Sequence, residues 1–423
     1  MKVLLCMTLL FSQMLAAQTL EVSPARVLTD EPAIIRVAGL EANERITLRA
    51  ELVDGEDVRW ESSADFLADT KGVVDLSVRE PVSGSYKHVS PMGLIWSMMP
   101  TDKKAQAYVP PKELAPQMIE FRLLRKGQAA GSARLEQLAV SEDVHRIDVR
   151  GTLHGVLFEP ATGVPHPAVL VLGGSNGGLP LRQAAWLASH GFAAFALAYF
   201  RYEDLPEKLE AIPLEYFGSA LAWMAKRPEI SANHIAVMGT SRGGELALQL
   251  GSMYSQVTAV VAYVPANTRH AACCGDNRVP YAWTWQAKPL SFTYGRRNPE
   301  VEREAAIQVE YTRGPLLLIS GEDDGVWESS SMCKEVVDRL KSNHFQFSVE
   351  HLRYPHAGHT SGHPGITPAW HGRLRHPLSG REVNLGGSVE GNAQSSIDAT
   401  PKVLEFLKQN LAVTQQPSQT GQR

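Results

Sequence analysis

Apolar positions follow two different rhythms along this chain. From about residue 18 to 140 they alternate with polar positions over short stretches: 33–37, 46–52, 73–78 and 118–124. Asp54-Gly55, Lys71-Gly72 and Arg125-Lys126-Gly127 supply the turns. A two-residue period bounded by such turns predicts strands with one buried face, and several in series predict a β-sandwich. This half holds no clear nucleophile and base. Packing, or scaffolding for substrate access, is its expected part.

After about residue 142 the apolar runs become continuous: 168–172, 192–198, 234–238, 257–264, 316–320 and 345–352. Stretches with a helical period, 181–189, 214–226 and 245–253, lie among them. Strands apolar on both faces and interleaved with helices predict a mostly parallel α/β sheet. Residues 401–411, with Pro401 at a first-turn position, read as a closing helix.

The ends are different again. Lys2 precedes an apolar stretch, 3–15, broken by Thr8, Ser12 and Gln13 and followed by Ala16 and Ala17. That is the form of a secretory signal cleaved near Ala17, which predicts export to a periplasm or the exterior. No later segment reaches the ~18 uninterrupted apolar residues of a membrane helix. The expected organisation is therefore a signal peptide at 1–17, an all-β sandwich at 18–141, an α/β catalytic domain at 142–412 and a polar tail at 413–423.

Composition narrows the field of partners. With 423 residues the chain is too long for one ordinary domain. Its formal net charge of -4 offers no bulk attraction to nucleic acid or anionic membrane. Cys6 leaves with the signal, so Cys273, Cys274 and Cys333 remain, enough for at most one intrachain disulfide. The pair reads as ordinary small thiols, with a vicinal bond as the alternative. Without CxxC spacing or clustered histidines no zinc site is expected, and no cofactor motif is present.

The chemistry centres on Gly239-Thr240-Ser241-Arg242-Gly243-Gly244, which lies between the strand at 234–238 and the helix at 245–253. A G-x-S-x-G turn in this context lifts a serine hydroxyl to a helix N-terminus, where small flanking residues avoid collision. A serine needs a base, and the base needs an orienting acid. Gly321-Glu322-Asp323-Asp324-Gly325 follows a strand and offers Asp324, with Asp323 as the alternative. Tyr354-Pro355-His356-Ala357-Gly358-His359 follows the next strand and offers His359, with His356 and His363 as competitors. Attack by Ser241, proton transfer by His359 and orientation by Asp324 are the assigned roles.

An oxyanion hole must also exist. The Arg242 amide, next to the nucleophile, is one candidate donor. Gly173-Gly174-Ser175-Asn176-Gly177-Gly178 should give the other, from Gly174 or from Ser175. This glycine run lacks the Gly-Lys-Ser/Thr ending of a phosphate loop. The segment of about 50 residues between Val264 and Leu316 carries Tyr281, Trp283, Trp285, Phe292 and Tyr294. It is long for a connection, and reads equally as a lid or acyl-binding wall and as a loop subdomain.

With these residues in place, the chain resembles the acyl-CoA thioesterase/bile acid-CoA:amino acid N-acyltransferase family. Glu21-Val22-Ser23-Pro24, Ser83-Gly84-Ser85-Tyr86 and Pro91-Met92-Gly93-Leu94-Ile95-Trp96-Ser97-Met98 are similar to its immunoglobulin-like front domain. Leu197-Ala198-Tyr199-Phe200, Asp204-Leu205-Pro206, Gly243-Gly244-Glu245-Leu246 and Gly321-Glu322-Asp323-Asp324 with Trp327 are similar to its α/β-hydrolase domain. The resemblance implies a serine hydrolase acting on acyl thioesters, with nucleophile, acid and base at Ser241, Asp324 and His359. Members that conjugate amino acids to bile acids carry cysteine where this chain has Ser241, which points to hydrolysis. The signal segment supports the other expectation, an exported carboxylesterase acting on a lipid, xenobiotic or polyketide ester.

Overall fold

The computed structural model describes residues 19–294 and 298–411. The expected signal segment and the polar tail lie outside the described residues.

The front region is built from two sheets over one core. A three-stranded sheet places Ile34–Ala38 between Thr19–Ser23 and Val74–Asp75. A larger sheet runs Arg26–Leu28, Gln128–Leu138, Gln117–Arg125, Arg45–Val53, Arg59–Leu67 and Ser83–Gly84, with Met99–Pro100 also pairing to Arg59–Leu67. Ile46, Leu48 and Ala50 alternate inward and meet Ile35, Val37 and Val74 of the smaller sheet. The expected strand at 73–78 stops early, because the Asp75 carboxylate accepts the Ser77 amide at 2.9 Å and turns the chain. Arg59–Leu67 had escaped notice because Ser62 interrupts its inward row of Trp60, Ala64 and Phe66.

The chain leaves this sandwich at Leu138 and enters an eight-stranded sheet at Val144. Its strands are β1 (Val144–Val149), β2 (His154–Pro160), β3 (His166–Leu172), β4 (Ala193–Ala198), β5 (Ile230–Thr240), β6 (Val257–Tyr263), β7 (Leu316–Gly321) and β8 (Val349–Tyr354). They lie in the order β1-β2-β4-β3-β5-β6-β7-β8. The β1–β2 and β2–β4 pairs are antiparallel and all others parallel.

Helices cover both faces. α1 (Leu181–Ser189) and α5 (Val389–Asn410) close one side. α2 (Leu214–Ala225), α3 (Arg242–Met253) and α4 (Ser329–Ser342) close the other. Leu170 and Leu172 of β3 face one core while Val169 and Val171 face the other, which is why this strand reads as an unbroken apolar run.

One boundary differs from the expected one by a dozen residues. α5 begins at Val389, so Pro401 sits inside the helix and not in its first turn. An interior proline costs roughly 3 kcal/mol. Burial on both sides of it, by Ala393 and Ala399 before and Val403, Phe406 and Leu407 after, offsets that cost. The two regions are also tied together by polar contacts: Asp30 accepts from Trp186 Nε1 at 3.0 Å, and Gln137 Nε2 donates to the Ile366 carbonyl at 3.1 Å. No helix among the described residues is long and apolar enough to cross a membrane.

Candidate active site

β5 ends at Thr240 and α3 starts at Arg242, leaving Ser241 alone on the bend. Its backbone stands at φ 56° and ψ -117°, a region that disfavours any residue with a Cβ. Two hydrogen bonds pin it there. Its amide donates to the Tyr263 carbonyl at 2.9 Å, and its carbonyl accepts the Glu245 amide at 2.9 Å. The flanking glycines are required by space: a Cβ on Gly239 would lie 1.9 Å from the Gly243 carbonyl oxygen, and one on Gly243 would lie 2.4 Å from that of Gly173.

The loops after β7 and β8 bring the other two candidates to this bend. His359 Nε2 lies 2.9 Å from Ser241 Oγ, while its Nδ1 lies 2.8 Å from Asp324 Oδ2 and 3.0 Å from Oδ1. The Asp324 side chain is 1% exposed. It also accepts the Val326 and Trp327 amides, at 2.9 and 3.2 Å, which hold the carboxylate in place. The Trp327 ring meets His359 edge-on, with centroids 5.3 Å apart.

The competitors are placed elsewhere. His356 is exposed and faces Asp323 at 3.5 Å, away from the serine. His363 packs its ring on Tyr263, and burial together with nearby His359 pushes its pKa down to about 4. Glu322 pairs with Arg353 on the surface.

A strap from a later part of the chain holds the acid and base loops in register. The His359 amide donates to the Leu385 carbonyl at 2.7 Å, as does the Gly325 amide at 3.2 Å. The Gly387 amide returns a bond to the Asp323 carbonyl at 3.1 Å. Gly386 adopts φ 74°, and a Cβ there would lie 1.9 Å from the Asp323 oxygen. No sequence motif marks this segment beyond its Gly386-Gly387 pair, a turn signal.

The glycine loop after β3 lies against the nucleophile. A Cβ on Gly174 would come 3.4 Å from the Ser241 Cβ. The buried Tyr199 hydroxyl supports the loop by donating to the Gly173 carbonyl at 2.6 Å, and Gly178 donates to Phe200 at 3.1 Å. Arg242 opens α3, so its amide is one of the first-turn donors that a helix leaves unused. Ser175 turns its hydroxyl outward to His376 Nε2, 3.1 Å away.

Behind Ser241 is a second polar group that sequence reasoning missed. Glu245 is fully buried and accepts Trp283 Nε1 at 2.7 Å. The Arg242 guanidinium pairs with it at 3.0 Å and donates to the Ala271 and His270 carbonyls at 2.8 and 3.0 Å. Burial would raise the Glu245 pKa, but the adjacent guanidinium and its hydrogen bonds bring it below the usual carboxylate range. Trp283 is therefore core, clamped to α3, whereas Tyr294 is exposed. The long segment after β6 thus contains packed structure of its own.

A cavity of about 320 Å³ lies between the two regions, walled by Trp96, Tyr108, Trp186 and Trp370. It reaches Thr360, next to His359, and Gln183, whose amide donates to the hydroxyl of Thr240, next to Ser241.

Two family models match the chain. Residues 30–151 match the acyl-CoA thioester hydrolase/BAAT N-terminal region, and residues 212–413 match the BAAT/acyl-CoA thioester hydrolase C terminal. Acyl-coenzyme A thioesterase 6 of Mus musculus is 32% identical over 411 residues, covering 93% of this chain and 97% of its own. The peroxisomal succinyl-coenzyme A thioesterase of Mus musculus is 31% identical over 422 residues, covering 94% and 98%. Among solved structures, a putative dienelactone hydrolase from Klebsiella pneumoniae aligns at a TM-score of 0.41 and 15% identity, over 63% of this chain and 98% of that one.

Proposed function

The chain belongs to the acyl-CoA thioester hydrolase/BAAT family, and from that premise we propose that it is a serine hydrolase cleaving acyl thioesters of the acyl-CoA type. The observation that carries this reading is the continuous hydrogen-bonded line from Ser241 Oγ through His359 to Asp324.

In the proposed reaction His359 Nε2 takes the Ser241 proton as Oγ attacks the thioester carbonyl. Asp324 stabilises the imidazolium that forms. The developing oxyanion is met by the Arg242 and Gly174 amides, each worth roughly 2.7–4 kcal/mol where such a donor is already in place. The C–S bond then breaks as the His359 imidazolium passes its proton to the departing sulfur, leaving an acyl-enzyme on Ser241, a free thiol and a neutral imidazole. A thiol of ordinary pKa, ~8.5, leaves with little help from the acid. Water, deprotonated by His359, attacks the acyl-enzyme and releases the carboxylic acid. The aromatic cavity beginning at Thr360 and Gln183 is the proposed place for the acyl chain.

The test is turnover of an acyl-CoA chain-length panel, followed as free thiol, beside p-nitrophenyl esters. CoA release that falls on the order of 10⁴-fold or more in Ser241→Ala supports the reading. Ester cleavage without CoA release would replace it with an exported carboxylesterase on the same residues. Export itself is a separate proposal resting on residues 1–17, tested by finding the N-terminus of the mature protein after secretion.

A further inference from the structure

Three segments far apart in sequence meet beside the glycine loop. Cys273 and Cys274 lie on the segment after β6, joined as a vicinal disulfide, which corrects their reading as ordinary thiols. A two-way backbone ladder fixes their position: Cys273 donates to the Leu209 carbonyl at 3.1 Å and accepts the Leu209 amide at 3.0 Å. His376 comes from a hairpin in which Leu374–Arg375 pairs with Glu382–Val383. Its imidazole is held by the Leu378 amide, donating to Nδ1 at 3.2 Å, and by Ser175 at Nε2. The two sulfurs and one imidazole nitrogen all lie within 4.8 Å of one another, and all three residues are half-buried.

We propose that Cys273, Cys274 and His376 form a binding site for a thiophilic divalent cation of the zinc class, open when the cysteines are reduced and closed by the disulfide. Two sulfurs and one imidazole are the donor set such an ion prefers, and three protein ligands leave a fourth position for water. The two states exclude each other chemically. A dithiol reductant gives two electrons and two protons to the Cys273–Cys274 bond and is itself oxidised to a disulfide. The cation then replaces the two thiol protons, which pass to solvent. A small-molecule disulfide takes the two electrons back and is reduced to two thiols, restoring the Cys273–Cys274 bond and expelling the ion.

The hydrogen bond from His376 to Ser175 ties this cluster to the loop that carries Gly174. Ligation through Nδ1, which displaces the Leu378 amide, leaves Nε2–H to donate to Ser175, so filling the site fixes the outer side of that loop, while closing it returns Nδ1 to the Leu378 amide. Binding is read without turnover, so it stands or falls independently of the hydrolase reading. Cys333 is a buried residue of α4, apart from this cluster, and does not compete.

The experiment titrates the whole mature protein with Cd²⁺ after dithiol reduction and anaerobic removal of reductant. Thiolate-to-metal charge-transfer absorption and bound metal per chain are measured. One ion is expected per reduced chain and none per oxidised chain. Cys273→Ser and Cys274→Ser should each abolish the absorption, Cys333→Ser should keep it, and His376→Gln should weaken binding at least about tenfold. Circular dichroism verifies that each variant is folded. A folded, reduced protein that takes up no Cd²⁺ would overturn the proposal, as would binding that survives the double Cys273→Ser/Cys274→Ser change or that persists in the oxidised chain.

Discussion

Ser241 stands between two buried carboxylates that use their charge in opposite ways. Asp324 faces an imidazole that lies within hydrogen-bond distance of the serine, and in the proposed reaction its charge answers the moment that ring becomes positive. Glu245 is enclosed with a guanidinium, an indole N–H and His270, so its charge is balanced permanently. The difference lies in the partner and not in the acid. A partner within reach of the serine hydroxyl makes a carboxylate part of the proposed chemistry, and partners enclosed with it in the core make it part of the frame.

Exchanging each carboxylate for its amide should separate these roles. Asp324→Asn is expected to fold and to lose about 10⁴-fold in kcat, by the effect typical of this arrangement, measured by steady-state CoA release. Glu245→Gln should act mainly on folding. It strands the Arg242 guanidinium in the core, a loss of roughly 3–5 kcal/mol that chemical denaturation would show. The folded fraction should keep far more turnover than Asp324→Asn does. Replacing both partners, Arg242→Met with Glu245→Leu, should recover much of that stability. If Glu245→Gln instead matched Asp324→Asn in kcat with an unchanged denaturation midpoint, the two carboxylates would not differ as described.

Acid titration sharpens the same contrast. Glu245 has a folded pKa below its ordinary value, so its stabilisation is present above the ordinary carboxylate range and is lost as pH falls through it. His351 and His363 are both depressed to about 4 by burial. The unfolded chain therefore binds their protons first, and stability should decline as pH drops from the ordinary histidine value of 6.5 towards 4. His363→Gln should flatten part of that decline in a series of thermal melts. The smallest effect is expected at His356→Ala, an exposed position, with stability changed by no more than about 0.5 kcal/mol and kcat unaltered.

What the sequence made legible follows from how local each constraint is. The elbow could be read because Gly239 and Gly243 are demanded by contacts within a few residues of Ser241. Asp324 and His359 could be read because each ends a strand, and the interval between them holds one helix and one strand, α4 and β8. The enclosure of Glu245 has no local signal, since Trp283 and His270 approach it only in space. β1 was hidden because an edge strand has a wet face and a polar sequence. His376 and the cysteines share no spacing rule, and the strap at Leu385 makes its contacts through backbone groups that any sequence possesses.

That strap also sets an order of events during synthesis. Its residues leave the ribosome after the whole eight-stranded sheet, and its amides and carbonyls are what align Asp323, Gly325 and His359. A nascent chain folded through β8 would already display the serine on its bend but would lack a fixed imidazole. In the proposed reaction its hydroxyl would stay unactivated until the strap docks, so a half-made molecule could not acylate itself on passing thioesters.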